Sequence, residues 1–578
     1  MADRNGEVAR LLENIADLLE VKGESTFRIR AYREAARQIG ILGKNVDEVR
    51  KQGKLEEVPG VGPSIAAKIA EYLEKGRSAY LDELQQEIPP SVADLLQVPG
   101  LGPRTAQLIY AHLGVGSVAE LVAAAREHRL RTVPGIGPKT EEKLLRETER
   151  LQQRTSRMLL AVALPAADEV AALLRENSAV ERVEPAGSIR RRLETIGDID
   201  LVASSSRPHE VMKAFTSLPL VKEIIATGPT KSSVLAFENL QIDLRVVDPS
   251  VFGAALQHFT GSRAHNIHVR DLAISEGFKL NEYGLFSQKT DELVASGTEE
   301  EIYHALGMAC PPPELREDRG EVEAALEHDL PELVRESDLR GDLHVHTDWS
   351  DGLAPVEAMV KAAIARGYEY VAITDHSQSL GVAHGLSPDR VREQRRLVDQ
   401  LNRQYQPFRI LQGIEIEIRG NGSLDYDDET LRYFDIVTAS LHSGRGQSRE
   451  KVTGRVLSAL GSGFVDVLNH PSGRIISRRA AYEVDLARTI EEAAALGIAL
   501  EINSSPDRLD LDDVWARRAK EAGVLLAINS DAHAPDQLSF VRWGTFVARR
   551  AWLRRRDVLN TLPLEALPRR LSRLRRAA

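Results

Sequence analysis

The 578-residue sequence predicts a multidomain protein: a helical N-terminal region, a mixed α/β centre and a C-terminal β/α barrel. Three observations predict it. A hexapeptide recurs three times among helical segments, short β-branched runs fill the centre, and seven apolar strand-like runs alternate with helices towards the end. A composition of 42% hydrophobic and 28% charged residues is typical of folded globular domains, of which this length suggests about three to five.

Composition also excludes several classes of protein. The single cysteine, Cys310, excludes an internal disulfide framework and a zinc finger built on cysteines. No run approaches the roughly 18 consecutive apolar residues that cross a membrane, and the opening MADRNGEVAR lacks the apolar stretch of a secretory signal. We therefore expect a cytoplasmic, monomeric protein in a reducing compartment, without a membrane partner.

The net charge of −11 comes from one segment. Residues 291–340 carry 15 acidic and 4 basic side chains, and the other residues sum to zero. The overall charge therefore does not exclude nucleic acid as a partner, and local patches must decide. Together with the PPP at 311–313, the acidic stretch predicts a stiff, extended linker with some helix, which we place at 313–337.

Residues 1–150 carry apolar residues at helical spacing, as in VARLLENIADLLEV and SIAAKIAEYL. The repeats are VPGVGP at 58–63, VPGLGP at 98–103 and VPGIGP at 133–138. Gly-x-Gly permits a tight turn, and the following Pro suits the first turn of a helix whose N-terminus attracts phosphate. The pattern resembles helix–hairpin–helix elements of repair enzymes and polymerases. Three structural turns are the alternative, but we favour sequence-nonspecific DNA binding. The candidate DNA-binding residues are Gly60, Gly62, Lys68, Gly100, Gly102, Arg104, Gly135, Gly137 and Lys139.

Three aspartates in the centre predict phosphoryl transfer. Asp198 and Asp200 lie two apart on a predicted strand, so that their carboxylates share a face, and Asp243 lies on another predicted strand. Three carboxylates on adjacent strands can hold two Mg²⁺ ions, one to activate an attacking hydroxyl and one to neutralise the leaving phosphate.

Glycine, serine and arginine residues precede these aspartates in GSIRRRLETIGDIDLV at 187–202. Gly187 and Ser188 can hold phosphate oxygens through backbone N–H groups, and Arg190 or Arg191 can stabilise the transferred charge. Asp-x-Asp alone is common on solvated strand edges, but the preceding Gly-Ser and arginines favour a catalytic role.

This order of Gly-Ser, Asp-x-Asp and a distant Asp resembles the nucleotidyltransferase palm of family X DNA polymerases, the group of DNA polymerase beta. The segment HFTGSRAHNIHVRDLAISEGFKLNEYGL at 258–285 is similar to that family's Phe-Thr-Gly-Ser segment and Asn-Glu-Tyr motif. The resemblance covers roughly residues 1–310. It implies two Mg²⁺ or Mn²⁺ ions on the three aspartates, with Asp243 as the base for the primer 3′-hydroxyl. It also implies contacts of the incoming dNTP with Gly187, Ser188, Arg191, Gly197, Phe259, Gly261, Arg263, Asn266 and Arg270.

The sequence departs from the family at three places. His258 stands where vertebrate members carry a tyrosine that bears on sugar discrimination. Ala166 stands where they carry an arginine, so that one triphosphate contact falls to another residue such as Arg263. Lys68 aligns with the family's Schiff-base lysine for removing 5′-deoxyribose phosphate. Because Ser64 replaces a second lysine, we favour a phosphate contact for Lys68 over lyase chemistry.

The C-terminal half carries strand-like runs such as GDLHVHT, YVAITDH and FDIVTASLH, separated by helices. Seven such units predict a closed, parallel (β/α)7-type barrel, in which the C-terminal strand ends converge on one site. Six imidazoles and three carboxylates lie at these ends. They suit Mn²⁺, Zn²⁺ or Fe²⁺ better than Mg²⁺ alone and can hold about three ions. These candidate ligands are His344, His346, Asp351, His376, Glu415, His442, His470, Asp531 and His533.

The order HxH, D, H, E, H, H, DxH resembles the PHP (polymerase and histidinol phosphatase) domain over residues 337–560. The whole chain thus resembles bacterial family X DNA polymerases with a C-terminal PHP domain. This resemblance implies gap-filling synthesis in base-excision repair on gapped or primed DNA, and a Mn²⁺-dependent 3′–5′ exonuclease. Abasic-site endonuclease or 3′-phosphatase activity is a further option. The predicted domains are 1–85 and 86–150 (helix–hairpin–helix), 151–250 (palm), 251–312 (nucleotide and template binding), 313–337 (linker) and 338–578 (PHP).

Three alternatives stay open at this point. The first is a repair nuclease whose polymerase half only grips DNA, which the intact aspartate trio disfavours. The second is a non-catalytic DNA scaffold, which would bind gaps without turnover in any divalent metal. The third is a phosphomonoesterase acting on small molecules, which the Gly-x-Gly repeats disfavour because such an enzyme needs no DNA grip.

Overall fold

The structure, a computed structural model, describes residues 4–22, 24–40, 45–58, 60–87, 92, 95, 98, 101–145, 157–236, 240–444, 446–567 and 571. The chain divides into two units, Met1–Ser156 and Arg157–Ala578. Within the described ranges, no helix is long and apolar enough to cross a membrane.

The N-terminal unit is helical, as the sequence predicts. Apolar residues recur on one face of each helix, and Leu12, Ile15 and Leu19 of the first helix are buried in one core with Ile39 and Ile69. Its helices are α1 (Arg4–Lys22), α2 (Thr26–Gly40), α3 (Val46–Lys51), α4 (Pro63–Lys75), α5 (Ala79–Glu87), α6 (Pro103–Leu113), α7 (Val118–Arg126) and α8 (138–145).

The palm, residues 157–248, is a mixed sheet with helices. Its five-stranded sheet has the order β2-β4-β7-β6-β5, in which only β4 and β7 run parallel, and this pairing sets Asp200 opposite Asp243. The strands are β1 (Met158–Leu159), β2 (Arg182–Pro185), β3 (Thr195–Ile196), β4 (Ile199–Ser204), β5 (Glu223–Thr227), β6 (Lys231–Leu235) and β7 (Gln241–Val247). The helices are α9 (Leu160–Arg175), α10 (Gly187–Arg190) and α11 (Pro208–Thr216).

The small subdomain, residues 249–312, packs two helices and a third short one around a three-stranded antiparallel sheet in the order β10-β9-β8. Its capping box at Thr298 and Glu301 fixes the start of the third helix. The elements are α12 (Phe252–Thr260), α13 (Arg263–Ser275), β8 (Phe278–Asn281), β9 (Gly284–Ser287), β10 (Leu293–Ala295) and α14 (Glu299–Ala305).

Seven parallel strands in sequential order form the barrel, residues 338–567. A parallel bridge joins Val345, the last residue of the first strand, to Ala532 beyond the seventh, so that the sheet nearly closes on itself. The predicted (β/α)7-type barrel is therefore confirmed. Its strands are β11 (Gly341–Val345), β12 (Tyr370–Ile373), β13 (Arg409–Glu417), β14 (Ile436–Ser440), β15 (Val467–Leu468), β16 (Ala499–Asn503) and β17 (Leu526–Asn529).

Helices cover the outside of the barrel and bury apolar faces against the strands. Fully buried Val371, Ile414 and Leu500 on the strands share one core with Val360 and Ala548 on the helices. The helices of the barrel are α16 (Val356–Ala365), α17 (Pro388–Gln404), α18 (Asp428–Leu431), α19 (Arg449–Leu460), α20 (Leu486–Leu496), α21 (Asp513–Glu521) and α22 (Val541–Arg550). One further helix, α15 (Glu321–Leu326), precedes the barrel.

The segment 313–337 differs from the extended linker that its charge and prolines predict. It contains α15 and short 3-10 turns, and its Leu315 and Leu333 are buried with Trp552 of the barrel. The palm, the small subdomain and the barrel also belong to one compact unit. The other predicted domain limits stay predictions.

Ion pairs explain why charge was a poor guide to this segment. The acidic side chains that suggested a solvated spacer meet basic partners elsewhere in the chain. Because each buried carboxylate has a partner, the segment can pack without leaving an unpaired charge. The ion pairs are Glu314 with Arg549, Glu317 with Arg550 and Asp318 with His268, and Glu321 accepts a hydrogen bond from His265, whose pKa burial lowers.

Candidate active sites

The palm carboxylates lie at the edge where β4 and β7 begin. Asp200 is the second residue of β4, and its register partner on the neighbouring strand is Asp243. Asp198 was predicted to lie on the strand, but β4 begins at Ile199 and Asp198 directly precedes it. Gln241 Nε2 donates to Asp243 Oδ1 at 2.8 Å, and the Lys231 ammonium lies 3.2 Å from Oδ2.

The three carboxylates repel one another. Burial, followed by the negative charges of Asp198 and Asp243, raises the pKa of Asp200 to about 7. A divalent cation would relieve this repulsion, and carboxylate oxygens are the ligands that Mg²⁺ and Mn²⁺ prefer. The Lys231 ammonium beside Asp243 already places a positive charge against the trio. The chemistry of these donors therefore fits the predicted metal ions, although their oxygens do not all lie within 4.8 Å of one another as the donor atoms of the barrel groups do.

Gly187 passes very close to this carboxylate cluster. Its φ is +57°, a conformation that favours glycine, and it begins the short helix α10. A Cβ at this position would lie 2.2 Å from Asp200 Oδ2. The glycine therefore lets the backbone of α10 contact the candidate metal ligand directly.

A cavity of about 600 Å³ lies between the palm and the small subdomain. Asp198 and Asp200 line it, whereas Asp243 is not among its lining residues. It brings together all the nucleotide contacts that the resemblance implies: Gly187, Ser188, Arg191, Gly197, Phe259, Gly261, Arg263, Asn266 and Arg270. Arg157, Leu193 and Thr260 also line the cavity, although no contact with the nucleotide is predicted for them from the sequence.

The two arginines that follow Ser188 have different environments. Arg190 pairs with the buried Glu299 at the start of α14, at 2.6 Å. Arg191 lines the cavity, where its Nε donates to Glu317 at 2.9 Å and its Nη1 donates to the Thr260 carbonyl. Of the two candidates for stabilising transferred charge, Arg191 therefore faces the cavity, and Arg190 joins the palm to the small subdomain.

On the small subdomain, hydrogen bonds hold the side chains that face the cavity. The Asn266 amide donates to the His258 carbonyl at 2.7 Å and accepts from Gln257 Nε2 at 3.0 Å. Phe259 lies 4.2 Å below the Arg245 guanidinium. His258 also lines the cavity, and burial lowers the pKa of its imidazole, which favours the neutral form.

Two Gly-x-Gly repeats can be followed into helices in the N-terminal unit. Gly62 and Gly102 directly precede α4 and α6, each with a proline in the first turn, which is the predicted arrangement. Gly60 has φ +78°, and a Cβ there would meet Glu34 Cγ at 2.9 Å. In the third repeat, 133–138, Gly135 and Gly137 are exposed before α8.

The basic residues after the repeats differ in their contacts. Lys68 Nζ donates to the Ser64 hydroxyl at 3.0 Å and lies 4.6 Å from the Tyr80 ring centre. Lys139 is exposed. Gly100 and the side chain of Arg104 lie outside the described residues.

In the barrel, the predicted ligands converge on one end. His344 lies within β11 and Glu415 within β13, and the others follow strand ends. Seven of the nine predicted ligands line a cavity of about 370 Å³, whereas His344 and His346 are fully buried and do not line it. The cavity is lined by Asp351, His376, Glu415, His442, His470, Asp531 and His533, together with Leu380, Ala383 and Arg508.

Eight of these ligands form three overlapping groups whose donor atoms lie within 4.8 Å of one another. The ninth, His470, has Nε2 2.9 Å from Glu415 Oε1. His346 belongs to two groups, and so does His376. The groups are His346, Asp351, His376 and His533; His344, His346 and Asp531; and His376, Glu415 and His442.

Two further observations show that these residues fit metal ions. The Nε2 atoms of His344 and His346 face each other at 3.0 Å. The Nδ1 atoms of His346 and His470 are buried without a hydrogen-bond partner, and His376 Nδ1 lies 2.9 Å from Glu415 Oε2. Orphaned imidazole nitrogens among ionised carboxylates are the donor set of a transition-metal centre.

Electrostatics place the donors in different protonation states. Burial opposes the ionisation of Glu415, but the positive charges of His376 and His344 hold its pKa well below the usual range. Burial, together with the charges of His533 and His376, lowers the pKa of His346 to about 3. Burial also opposes the charging of His376 and His344, but neighbouring carboxylates raise the pKa of His376 to about 10 and that of His344 well above its usual value. Glu415 and His346 can therefore bind a cation without releasing a proton, whereas His344 and His376 would release one on binding it.

Four known protein families match different parts of the chain. A helix-hairpin-helix domain matches residues 3–78, and a SAM-like helix-hairpin-helix tandem matches residues 92–150. The DNA polymerase beta thumb matches residues 255–317, and the PHP domain matches residues 342–505.

A relative of full length decides the family. The DNA polymerase/3′-5′ exonuclease PolX of Bacillus subtilis (strain 168) is 38% identical over 561 residues, which are 97% of this chain and 98% of that protein. The chain belongs to the PolX family. The resemblance to bacterial family X polymerases with a C-terminal PHP domain is thereby confirmed.

Shorter relatives match a smaller part of this PolX chain. A probable phosphatase of Shewanella loihica is 32% identical over 203 residues, which are 33% of this chain and 77% of that protein. A probable phosphatase of Thermoanaerobacter sp. (strain X514) is 28% identical over 232 residues, 38% of this chain and 89% of that protein.

Sequence reasoning missed the carboxylates that orient the imidazoles of this PolX chain. Glu501 accepts from His344 Nδ1 at 2.7 Å, and Glu417 accepts from His442 Nδ1 at 2.9 Å. Such partners fix the ring orientation and the nitrogen that remains free for a metal. The signal was available, since Glu501 interrupts the apolar run IALEINS of a buried strand.

Proposed function

We propose that this chain fills short gaps in DNA during base-excision repair and also removes nucleotides from 3′ ends. Nucleotide addition would use the palm, and 3′-end digestion would use the barrel. The observation that carries the proposal is the 600 Å³ cavity, because one space is lined by two catalytic aspartates and every predicted dNTP contact. The Bacillus subtilis relative is named a DNA polymerase and 3′-5′ exonuclease, which supports both the synthesis and the digestion proposed here.

In synthesis, Asp198, Asp200 and Asp243 would hold two Mg²⁺ or Mn²⁺ ions. When bound, these ions supply charge neutralisation and lower the pKa of the primer 3′-hydroxyl. The protein supplies position. Ser188, at the N-terminus of α10, would offer its backbone N–H group to the triphosphate, and the guanidinium of Arg191, which follows α10, would add positive charge.

The small subdomain would bind the rest of the nucleotide. Phe259 and Gly261 would contact the sugar, Asn266 the base edge and Arg270 the template side, with Arg263 as a further triphosphate contact. The support is that all five line the same cavity as Asp200. His258 also lines it, at the position where a different side chain would alter sugar discrimination.

The helix–hairpin–helix repeats would bind DNA through its phosphates, independently of sequence. Helix N-termini that follow Gly62 and Gly102 offer free backbone N–H groups to phosphate oxygens. Lys68 and Lys139 would add positive charge. The place of Lys68 in α4, close to the helix N-terminus that follows Gly62, supports a phosphate contact.

Gly187→Ala tests the palm half of the proposal. The new methyl group would meet Asp200 Oδ2 at 2.2 Å in a left-handed conformation, so that α10 or the carboxylate must move. Strain of about 1–3 kcal/mol, paired with a displaced metal ligand, predicts at least about a hundredfold loss of nucleotide addition. Single-turnover extension of a primed gap measures it.

Gly277→Ala is the matched control, because Gly277 also has a left-handed conformation, with φ +81°, but its Cβ would meet nothing within 4 Å and it does not line the cavity. We expect Gly277→Ala to stay within a few-fold of the parent and both variants to keep 3′-end digestion. Equal extension rates for the two variants would show that the closeness of Gly187 to Asp200 is unimportant.

In the barrel, the nine donors would hold about three Mn²⁺ or Zn²⁺ ions, which when bound supply a hydroxide nucleophile and neutralise phosphate charge. Arg508 supplies a fixed positive charge at the same cavity, 3.7 Å from Asp531 Oδ2. Leu380 and Ala383 provide an apolar wall. A phosphate next to Arg508 and a base or sugar against that wall describe a 3′-terminal nucleotide.

Arg508→Met should raise the KM for 3′-end digestion by about 10- to 100-fold, since a charge-assisted hydrogen bond to phosphate contributes about 1.5–3 kcal/mol. Steady-state digestion of a single-stranded oligonucleotide measures the KM. Binding of the same oligonucleotide in EDTA should weaken in parallel. Arg556→Met is the control, because its side chain is 75% exposed. An unchanged KM would remove Arg508 from the substrate site.

Removal of a 3′-phosphate by the barrel is a second candidate function, and cleavage at abasic sites is a third. The phosphatase candidate is favoured by the match of about a third of this chain to proteins named probable phosphatases. An oligonucleotide ending in a 3′-phosphate separates the activities, because release of inorganic phosphate identifies a phosphatase and release of mononucleotides identifies an exonuclease.

We also propose that the protein acts as a cytoplasmic monomer.

A further inference from the structure

The guanidinium of Arg191 is held in place at the wall of the palm cavity. Its Nε donates to Glu317 Oε1 at 2.9 Å, and its Nη1 donates to the Thr260 carbonyl. Only 12% of its side chain is exposed. The position of this cation therefore depends on Glu317, which lies in the segment between the small subdomain and the barrel.

A second arginine, from the barrel, reaches the same place. Arg550 ends α22 and is 5% exposed. Its Nη1 donates to the Arg191 carbonyl at 2.9 Å and to Glu317 Oε1 at 3.1 Å, and its Nη2 donates to Asp513 at 2.9 Å. One buried guanidinium thus contacts the main chain of Arg191 and the carboxylate that holds the Arg191 side chain.

Aromatic packing fixes α22 against the palm. Trp543 and Phe546 pack on the hydrophobic core of the palm, and the Arg192 guanidinium lies 4.8 Å from the Phe546 ring centre. A separate ion pair joins Glu194 to Arg474 of the barrel, at 3.3 Å for one of its two contacts. Two residues that follow Arg191, Arg192 and Glu194, therefore also contact the barrel.

Two arginines and two carboxylates form this network, Arg191, Arg550, Glu317 and Asp513, and Asp513 also pairs with Arg319. Glu317 accepts from two guanidinium groups, and Arg550 is balanced in turn by Glu317 and Asp513. Without Arg550, the Arg191 carbonyl loses a donor and Glu317 loses one of its two anchors. Glu317 is then free to move, and the Arg191 guanidinium moves with it. Displacement by about 1 Å is enough to impair a positioned catalytic group.

We propose that Arg550 is a positioning residue for nucleotide addition, through which the barrel holds Arg191 in place by way of Glu317. The inference rests on the proposed function, since it takes Arg191 as the residue that binds the triphosphate. The two active sites keep separate donor sets and separate chemistry. The barrel nevertheless helps to hold one residue of the cavity wall, Arg191, in place.

The test compares two neighbouring arginines of α22 in the full-length protein. Arg550→Met should raise the KM for dNTP by about tenfold or more in gap filling, with a smaller change in kcat. Arg549→Met is the matched control. It also removes a buried contact with the 313–337 segment, to Glu314 and the Val334 carbonyl, but none with Arg191. We expect its KM for dNTP within about twofold, and 3′-end digestion unchanged in both variants.

Glu317→Gln is a second variant, which leaves the barrel intact and covers the case that Arg550→Met does not fold. It should raise the same KM, and the double variant should show less than the product of the two single effects, because both residues act through one network. Folded Arg550→Met and Glu317→Gln with unchanged KM would overturn the proposal. An equal rise in Arg549→Met would also overturn it, since any loosening of the interface would then suffice.

Arg191→Met separates this proposal from the proposed function on which it rests. If Arg191→Met raises the KM for dNTP and Arg550→Met does not, the triphosphate role of Arg191 stands and the positioning role of Arg550 is wrong. If Arg191→Met leaves the KM unchanged, the triphosphate role itself is wrong.

Discussion

Asp200→Ala is expected to abolish nucleotide addition and to leave 3′-end digestion at the parent rate. Asp200 interacts with both other members of the trio. It pairs in register with Asp243, and its pKa is raised by burial and then by the charges of Asp198 and Asp243. Its loss removes a ligand that two ions would share. Losing several kcal/mol of charge stabilisation slows addition by about three orders of magnitude or more.

Glu184→Ala is the control for this variant, since Glu184 lies on β2 of the same sheet with a side chain that is 51% exposed. Extension of a labelled primer in Mg²⁺ or Mn²⁺ measures addition, and shortening of the same primer without dNTPs measures digestion. If Asp200→Ala extended the primer at the parent rate, the palm assignment would be wrong.

His344→Ala should have the opposite effect, with loss of 3′-end digestion by about three orders of magnitude and retention of synthesis. His344 is fully buried, faces His346 at 3.0 Å and belongs to one of the three donor groups. Net extension should rise where digestion had shortened the product. Bound Mn²⁺ or Zn²⁺, measured by elemental analysis, should fall below that of the parent protein.

Removing His344 also leaves Glu501 buried without its imidazole partner, so that a folding defect must be distinguished from loss of a metal. Asp351→Ala serves this purpose, because its side chain is 32% exposed and it belongs to a different donor group. The exposed His209 provides the control. Loss of synthesis in a folded His344→Ala or Asp351→Ala protein would contradict the separation of the two active sites.

Much of the fold and the donor sets could be predicted because their signals are local. Seven apolar runs with helices between them predict parallel strands, and a ligand at the end of each run follows from the direction of those strands. The Gly-Ser and Asp-x-Asp pattern predicted which residues would share one cavity. The start of β4 differed by one residue, which leaves Asp198 just outside the strand.

Contacts between distant parts of the chain left no such signal. The acidic segment 313–337 looked like a solvated spacer because its partners, such as Arg549 and Arg550, lie more than 200 residues away. Nothing in the sequence indicates that Arg550 contacts the carbonyl of Arg191. Charge composition reports how many ionised groups a segment carries, whereas burial depends on where their partners lie.

One assay tests the central claim most directly. The substrate is a DNA duplex with a 5′-phosphorylated one-nucleotide gap and a labelled primer 3′ end, incubated in Mn²⁺ with and without dNTPs. We predict extension by the parent protein with dNTPs and shortening without them, only shortening by Asp200→Ala and only extension by His344→Ala. Loss of both activities in either folded variant would contradict the account of one chain with two chemically separate active sites.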